Sequence, residues 1–161
     1  MIKKVIDFSI VIYNSADELL EADKKLLIEA QSITSQAYAP YSQFKVGAAA
    51  RLDNGKIVTA TNQENASYPV GICAERVLLS VVASQYNNAI IETIAVSYNN
   101  LKGESMRPIS PCGICRQSLT EYEDRTGNAI RLLLSGLKGE VFVIEKAHYL
   151  LPLGFNSGHM K

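Results

Sequence analysis

Cys73-Ala74-Glu75-Arg76-Val77-Leu78-Leu79-Ser80-Val81-Val82-Ala83-Ser84-Gln85 decides how this chain is read. It sets a thiol and a carboxylate two residues apart and then runs directly into apolar residues at Val77, Leu78, Val81 and Val82. That stripe predicts a buried helix from Cys73 to about Gln85. A second stretch repeats the arrangement: Pro111-Cys112-Gly113-Ile114-Cys115 opens a helix predicted to run to about Tyr122. The chain holds three cysteines, and all three fall in these two runs. Helix starts suit them, because unpaired N–H groups and the positive dipole end stabilise thiolate. Cys112 and Cys115, three apart, leave the same helix face.

Outward from these runs, Val46 to Leu52 and Lys56 to Thr61 flank Asp53-Asn54-Gly55, a turn signal that predicts an antiparallel hairpin. Glu92 to Tyr98, Ile130 to Ser135 and Val141 to Glu145 read as further strands, and Val5 to Tyr13 as a strand or extended arm. Ser15 and Glu18 have capping-box spacing, and Leu19, Leu26, Ala30, Ile33 and Ala37 recur at helical intervals behind them. This helix is expected to end near Tyr38, since Pro40 biases its predecessor toward extended backbone. Asn99 to Ser110 is a loop, and the tail from Pro152 onward is expected to be irregular. Helix, two strands, helix, strand, helix, strands is the order of an α/β sandwich with one mixed sheet. At 161 residues the expectation is a single domain, residues 1–161, with one well-buried core.

Sixteen basic side chains balance sixteen acidic ones. Nucleic-acid binders carry a basic excess or stripe, so the balance points away from nucleic acid and toward a small, nearly neutral substrate. Met1-Ile2-Lys3-Lys4 has the charge of a signal peptide, but Asp7 interrupts the apolar run and no small-residue cleavage site follows. No stretch reaches the roughly 18 apolar residues of a membrane span. Clustered thiols without a disulfide framework fit a reducing compartment, so a cytoplasmic location with no membrane partner is expected.

Three thiolates and a nearby carboxylate suit a catalytic zinc. With three protein ligands the ion keeps one tetrahedral position for water and lowers that water's pKa from about 16 to about 7. Glu75 stands where a proton shuttle is needed. A closed structural zinc would require a fourth protein ligand, for which only His148 and His159 are available, neither at zinc-finger spacing. A redox dithiol would leave Cys73 and Glu75 unexplained. C-x-E followed by P-C-x-x-C is the pattern of the zinc deaminases, with cysteine in place of histidine as first ligand. Three thiolates leave the centre at a net charge of about minus one. Arg76 and Arg116, each following a residue of a metal run, are candidates to offset it by hydrogen bonds to ligand sulfurs; the alternative is a surface or intersubunit role.

The wider sequence resembles the cytidine deaminases of the short, homotetrameric type. Ala37-Tyr38-Ala39-Pro40-Tyr41-Ser42, Phe44-Lys45-Val46-Gly47-Ala48-Ala49, Asn62-Gln63-Glu64-Asn65-Ala66-Ser67-Tyr68-Pro69, the two metal runs, and Leu150-Leu151-Pro152 with Phe155 follow that family's order. The likeness covers about residues 23 to 155 and leaves about 1–22 as an N-terminal extension. It implies a three-layer α/β/α sandwich with one central mixed five-stranded sheet, one zinc per subunit, and deamination of cytidine and deoxycytidine in pyrimidine salvage. It also implies roles: Cys73, Cys112 and Cys115 as metal ligands, Glu75 as catalytic acid and base, Asn62 and Glu64 on the ribose hydroxyls, and Phe44 on the pyrimidine ring. Backbone groups of Ala74 and Ser110 would meet the pyrimidine O2 and the departing amine, and Phe155 would reach into a neighbouring subunit's site. Plainer readings stand beside these, with Asn62 and Glu64 as turn residues, Phe44 as core and Phe155 as loose tail. Two other functions remain open: a deaminase of another cytosine nucleoside such as blasticidin S, and a non-catalytic zinc-stabilised interaction module.

Overall fold

The computed structural model of the chain describes residues 1–87 and 89–160. Among these, six strands form one sheet: β1 (Val11–Tyr13), β2 (Phe44–Leu52), β3 (Ile57–Thr61), β4 (Ile91–Asn100), β5 (Arg131–Ser135) and β6 (Val141–Ile144), in the order β1-β6-β5-β4-β2-β3. β4 and β5 are parallel, and every other neighbouring pair is antiparallel. Strict alternation along the strands produces two cores. Ala48, Ala50, Leu52, Ile94, Val96, Leu132, Leu134 and Ile144 bury on one face, and Ala49, Ala95, Leu133, Val141 and Val143 on the other. The helix α1 (Glu21–Ile33) covers the second face with Leu26, Leu27 and Ala30. On the first face lie α2 (Ala74–Gln85), through Leu78 and Val82, and α3 (Gly113–Thr126), through Leu119 and Tyr122. Each fully buried leucine contributes roughly 2 kcal/mol. The three-layer sandwich is as expected.

Two glycines are fixed by geometry. Gly55 takes φ +78° in the β2–β3 turn, and its N–H donates to the Leu52 carbonyl at 2.9 Å. A Cβ on Gly47 would lie 2.1 Å from the Ala30 carbonyl oxygen, so only glycine lets α1 approach β2 this closely. At the sheet end remote from the start of β2, buried Asp23 of α1 accepts from Arg51 (3.2 Å) and Arg131 (2.6 Å) and ties α1 to β2 and β5.

Three expectations are corrected. The sheet has six strands rather than five, because Val11, Ile12 and Tyr13 of the N-terminal segment pair with Val143, Phe142 and Val141 on the open edge of β6. Ser15 and Glu18 do not open the long helix. Ser15 caps a single 3-10 turn, Ala16–Glu18, while both Glu18 oxygens turn back to Asn14 (2.9 and 3.0 Å). Leu19 then goes extended to bury its side chain, and α1 begins only at Glu21. The helix also stops earlier than Tyr38, at Ile33, where Thr34 Oγ1 donates to the Gln31 carbonyl (2.7 Å) and a 3-10 turn, Thr34–Gln36, follows. The tail carries one further 3-10 turn, Ser157–Met160. No helix among the described residues is long and apolar enough to cross a membrane.

Candidate active site

The site forms where the starts of α2 and α3 meet the start of β2 and the segment after β3. Cys73 is the N-cap of α2 and Cys112 the N-cap of α3, with Cys115 in the first turn of α3. Thirty-nine residues of chain separate Cys73 from Cys112, yet their sulfurs lie 3.7 Å apart, and Cys112 and Cys115 sulfurs 3.5 Å apart. All three fall within 4.8 Å of one another, and none is in a disulfide.

These spacings fit zinc. Sulfurs at about 2.3 Å from a tetrahedral ion stand about 3.8 Å from each other, close to the two contacts seen. The donor chemistry agrees. Interaction with Cys115, the largest effect, draws the Cys73 thiol down to about 6, and the same contact together with burial pushes Cys115 up. Three thiols this close resist joint deprotonation, which a divalent cation among them would relieve. Among the described residues the metal-capable group contains only these cysteines. His148 bonds to Glu123 at 2.8 Å, and His159 lies against Phe155, so neither stands as a fourth ligand.

Glu75, one residue into α2, is 5% exposed, and desolvation pushes its carboxyl above the usual range. It lines a cleft of about 310 Å³ together with Asn62, Glu64, Cys73, Ala74, Ser110 and Cys112. A buried carboxyl beside a metal, facing a cleft, has the placement of a proton shuttle.

The far wall of the cleft is built from backbone pairing. Gln63 and Ile72 exchange both backbone hydrogen bonds (2.9 and 3.0 Å), and Glu64 N–H donates to the Tyr38 carbonyl (2.8 Å). The segment carrying Asn62 and Glu64 is thereby fixed to the residue before Cys73. Asn62 continues the sheet with its side chain, since Oδ1 accepts from Val46 N–H (2.8 Å) and Nδ2 donates to the Phe44 carbonyl (3.0 Å). Glu64 Oε2 accepts from Tyr41 N–H (2.9 Å) and Ser42 N–H (3.3 Å). Desolvation acts to raise its pKa, but the hydrogen bonds from Ser42 and Tyr41 outweigh it and hold the carboxyl below its ordinary value.

Over residues 20–129 the chain matches the family described as the cytidine and deoxycytidylate deaminase zinc-binding region. It belongs to that family. The cytidine deaminase of Halalkalibacterium halodurans is 34% identical over 139 residues, covering 86% of this chain and 98% of that protein. That of Sporosarcina psychrophila is 33% identical over 133 residues, 83% and 90% of the two chains. Among solved structures, cytidine deaminase from Burkholderia pseudomallei superposes with a TM-score of 0.70 at 39% identity, covering 81% of this chain and 97% of that one.

Against what the deaminase family implies, the structure brings together Cys73, Cys112, Cys115, Glu75, Ala74, Ser110, Asn62 and Glu64. Phe44 and Phe155 lie outside the cleft lining. The Phe44 ring stacks on Tyr98 (centroids 4.7 Å, 14°), on the sheet face that also carries Val46. Phe155 is 57% exposed and stacks on His159, with its carbonyl accepting from Gln117 (2.8 Å).

The arginine expectation is corrected for Arg116. It donates to the carbonyls of Pro111 (2.8 Å) and Leu150 (3.1 Å) rather than to a sulfur; as the next residue after Cys115 in α3 it leaves the helix about 100° around the axis from it. Arg76 makes no sulfur hydrogen bond among the described residues. It lies half-buried in a surface cleft with Ser80, Ser118 and Glu121, and its charge acts on Cys73 at longer range, favouring thiolate. Sequence reasoning missed the Gln63–Ile72 bridge, which leaves no periodic signal because it is one residue long on each side.

Proposed function

We propose that the chain catalyses zinc-dependent hydrolytic deamination of cytidine and deoxycytidine, giving uridine or deoxyuridine and ammonia. The observation that carries this is the convergence of three cysteine sulfurs and the buried Glu75 carboxyl on one cleft. Zinc held by Cys73, Cys112 and Cys115 supplies the Lewis acidity that makes water nucleophilic near neutral pH.

Glu75 takes a proton from the attacking water as its oxygen adds to C4 of the pyrimidine, and delivers that proton to ring N3. It then takes the proton of the new C4 hydroxyl to the exocyclic nitrogen, the C4–N bond breaks as the C4 carbonyl forms, and ammonia leaves. A carboxyl raised by burial exchanges protons more readily near neutral pH, which suits both transfers. Ala74 and Ser110, at the cleft wall, offer backbone groups to the pyrimidine O2 and the leaving amine. Glu64 uses Oε2 on Tyr41 and Ser42 and keeps Oε1 for a ribose hydroxyl. Asn62 retains one N–H and one lone pair beyond its two bonds to β2. Phe44, stacked on Tyr98 on the same face of β2 as the cleft-lining Val46, is the residue that the family likeness assigns to the pyrimidine ring, and Phe155 the one it assigns to a neighbouring copy's site in a homotetramer.

Residues 1–161 act as one catalytic unit, with about 1–22 an extension, in cytoplasmic pyrimidine salvage and without nucleic-acid or membrane partners. A held carboxylate at the sugar end disfavours a phosphate there, so nucleosides are preferred over nucleotides. The test follows ammonia release from cytidine, deoxycytidine, dCMP, cytosine and blasticidin S, with the mass in solution measured alongside. Turnover of the two cytidine nucleosides and not of dCMP is expected. Activity confined to dCMP or to blasticidin S would overturn the substrate assignment, and a monomeric mass the tetramer.

A further inference from the structure

Three consecutive residues in the first turns of α3 carry three different attachments. Cys115 holds its sulfur 3.5 Å from that of Cys112. Arg116 bridges two carbonyls, that of Pro111 (2.8 Å), immediately before Cys112, and that of Leu150 (3.1 Å), where the C-terminal tail begins. Gln117 donates to the carbonyl of Phe155 (2.8 Å). The tail is therefore fastened at both ends of 150–155 by side chains that directly follow a metal ligand.

Between those fastenings Leu153 adopts φ +60°, a left-handed conformation that a γ-branched residue rarely takes, although its side chain is exposed. Such a conformation persists only where the surroundings impose it. Here a local turn does so: Gly154 N–H donates to the Leu151 carbonyl (3.1 Å) around Pro152 and Leu153, and the two anchoring points stand on either side of that turn. The 3-10 turn Ala147–Leu150 is itself fixed by Glu123 near the other end of α3, and among the described residues the hydrogen bonds that α3 makes to 150–155 are those of Arg116 and Gln117.

We propose that Arg116 and Gln117 are positioning residues that couple metal occupancy at Cys112 and Cys115 to the placement of the tail at 151–155. A bound cation pins Cys112 and Cys115 and so pins the Pro111 carbonyl and the first turn of α3. This fixes the geometry in which one guanidinium reaches both carbonyls and Gln117 reaches Phe155. Losing the cation frees a helix terminus, where fraying is easiest, and releases both anchors. Coupling of this kind is reciprocal, so a docked tail slows release of the metal. The inference rests on the metal assignment and not on the substrate.

Two measurements test it on the full chain: backbone amide exchange of 151–155 in the zinc-loaded and chelator-stripped protein, and zinc release to a chromophoric chelator. Exchange at Ile94–Val96 serves as the reference for global opening. In the unaltered protein, tail amides are expected to exchange several-fold faster after stripping. In Arg116→Gln they exchange fast in both states, and zinc leaves about tenfold faster. Arg116→Lys, which offers one donor nitrogen in place of the two that reach Pro111 and Leu150, falls between. Should Arg116→Gln fail to fold, Gln117→Ala carries the same test, because the metal dependence of exchange at Gly154, whose N–H donates to the Leu151 carbonyl (3.1 Å), must then disappear. Tail exchange indifferent to the metal in the unaltered protein, zinc release from Arg116→Gln at the unaltered rate, or a metal dependence at Gly154 that survives Gln117→Ala would each overturn the proposal.

Discussion

Glu75 shows how position along a helix determines chemistry. Two residues beyond the Cys73 cap, its carboxyl is buried at the wall of the cleft, and that burial raises its pKa. Glu75→Gln keeps shape and burial but can neither accept nor return a proton. Turnover is expected to fall roughly a hundred- to ten-thousand-fold with zinc content unchanged, as read by ammonia release and metal analysis. Near-normal turnover in that variant would remove Glu75 from the mechanism. The identity of this residue was legible from its spacing to Cys73. The bonds of Asn62 and Arg116 to main-chain groups were not, because their partners lie 16 and 34 residues away in sequence.

Elements meet through groups the sequence does not advertise. Glu123, two turns beyond Cys115 near the C-terminal end of α3, is 5% exposed and accepts backbone N–H groups from Ile130 (2.7 Å), Ala147 (3.0 Å) and His148 (2.9 Å). One carboxylate thus joins α3 to the entry of β5 and to the turn after β6. Glu123→Ala would leave these donors buried without partners, a loss of roughly 3 to 5 kcal/mol. Urea denaturation would register it, and a midpoint unchanged from the parent would show that water replaces the carboxylate. Hydrophobic periodicity had identified each strand from β2 to β6 and all three helices, since each buries a regular face. It misplaced both ends of α1, where Glu18 prefers Asn14 and Leu19 turns into the core. It also left β1 undecided, because a three-residue strand on a sheet edge alternates too briefly to be recognised.

For the whole molecule, the metal joins two helices whose starts are far apart in sequence, so it belongs to the stability of the fold as well as to catalysis. A ligand that binds only the native state, free at about a hundred times its dissociation constant, stabilises by roughly 2.7 kcal/mol. Chelation is expected to lower the thermal midpoint by roughly 5 to 11 °C for a chain of this size, and zinc to restore both midpoint and activity. Calorimetry with and without chelator measures this, and an unmoved midpoint would mean that α2 and α3 hold together without the ion. The sequence alone determined the metal-capable cysteine set, the carboxyl beside it and an α/β sandwich with one mixed sheet, because these follow from residue type and short spacing: C-x-E and P-C-x-x-C at helix starts, and the order of helical and strand segments. Tertiary structure alone decided that the N-terminal segment supplies a sixth strand, that Arg116 serves the tail rather than a sulfur, and that Asn62 extends β3 by its side chain. Those outcomes depend on where distant backbone groups come to lie, and no local spacing encodes that.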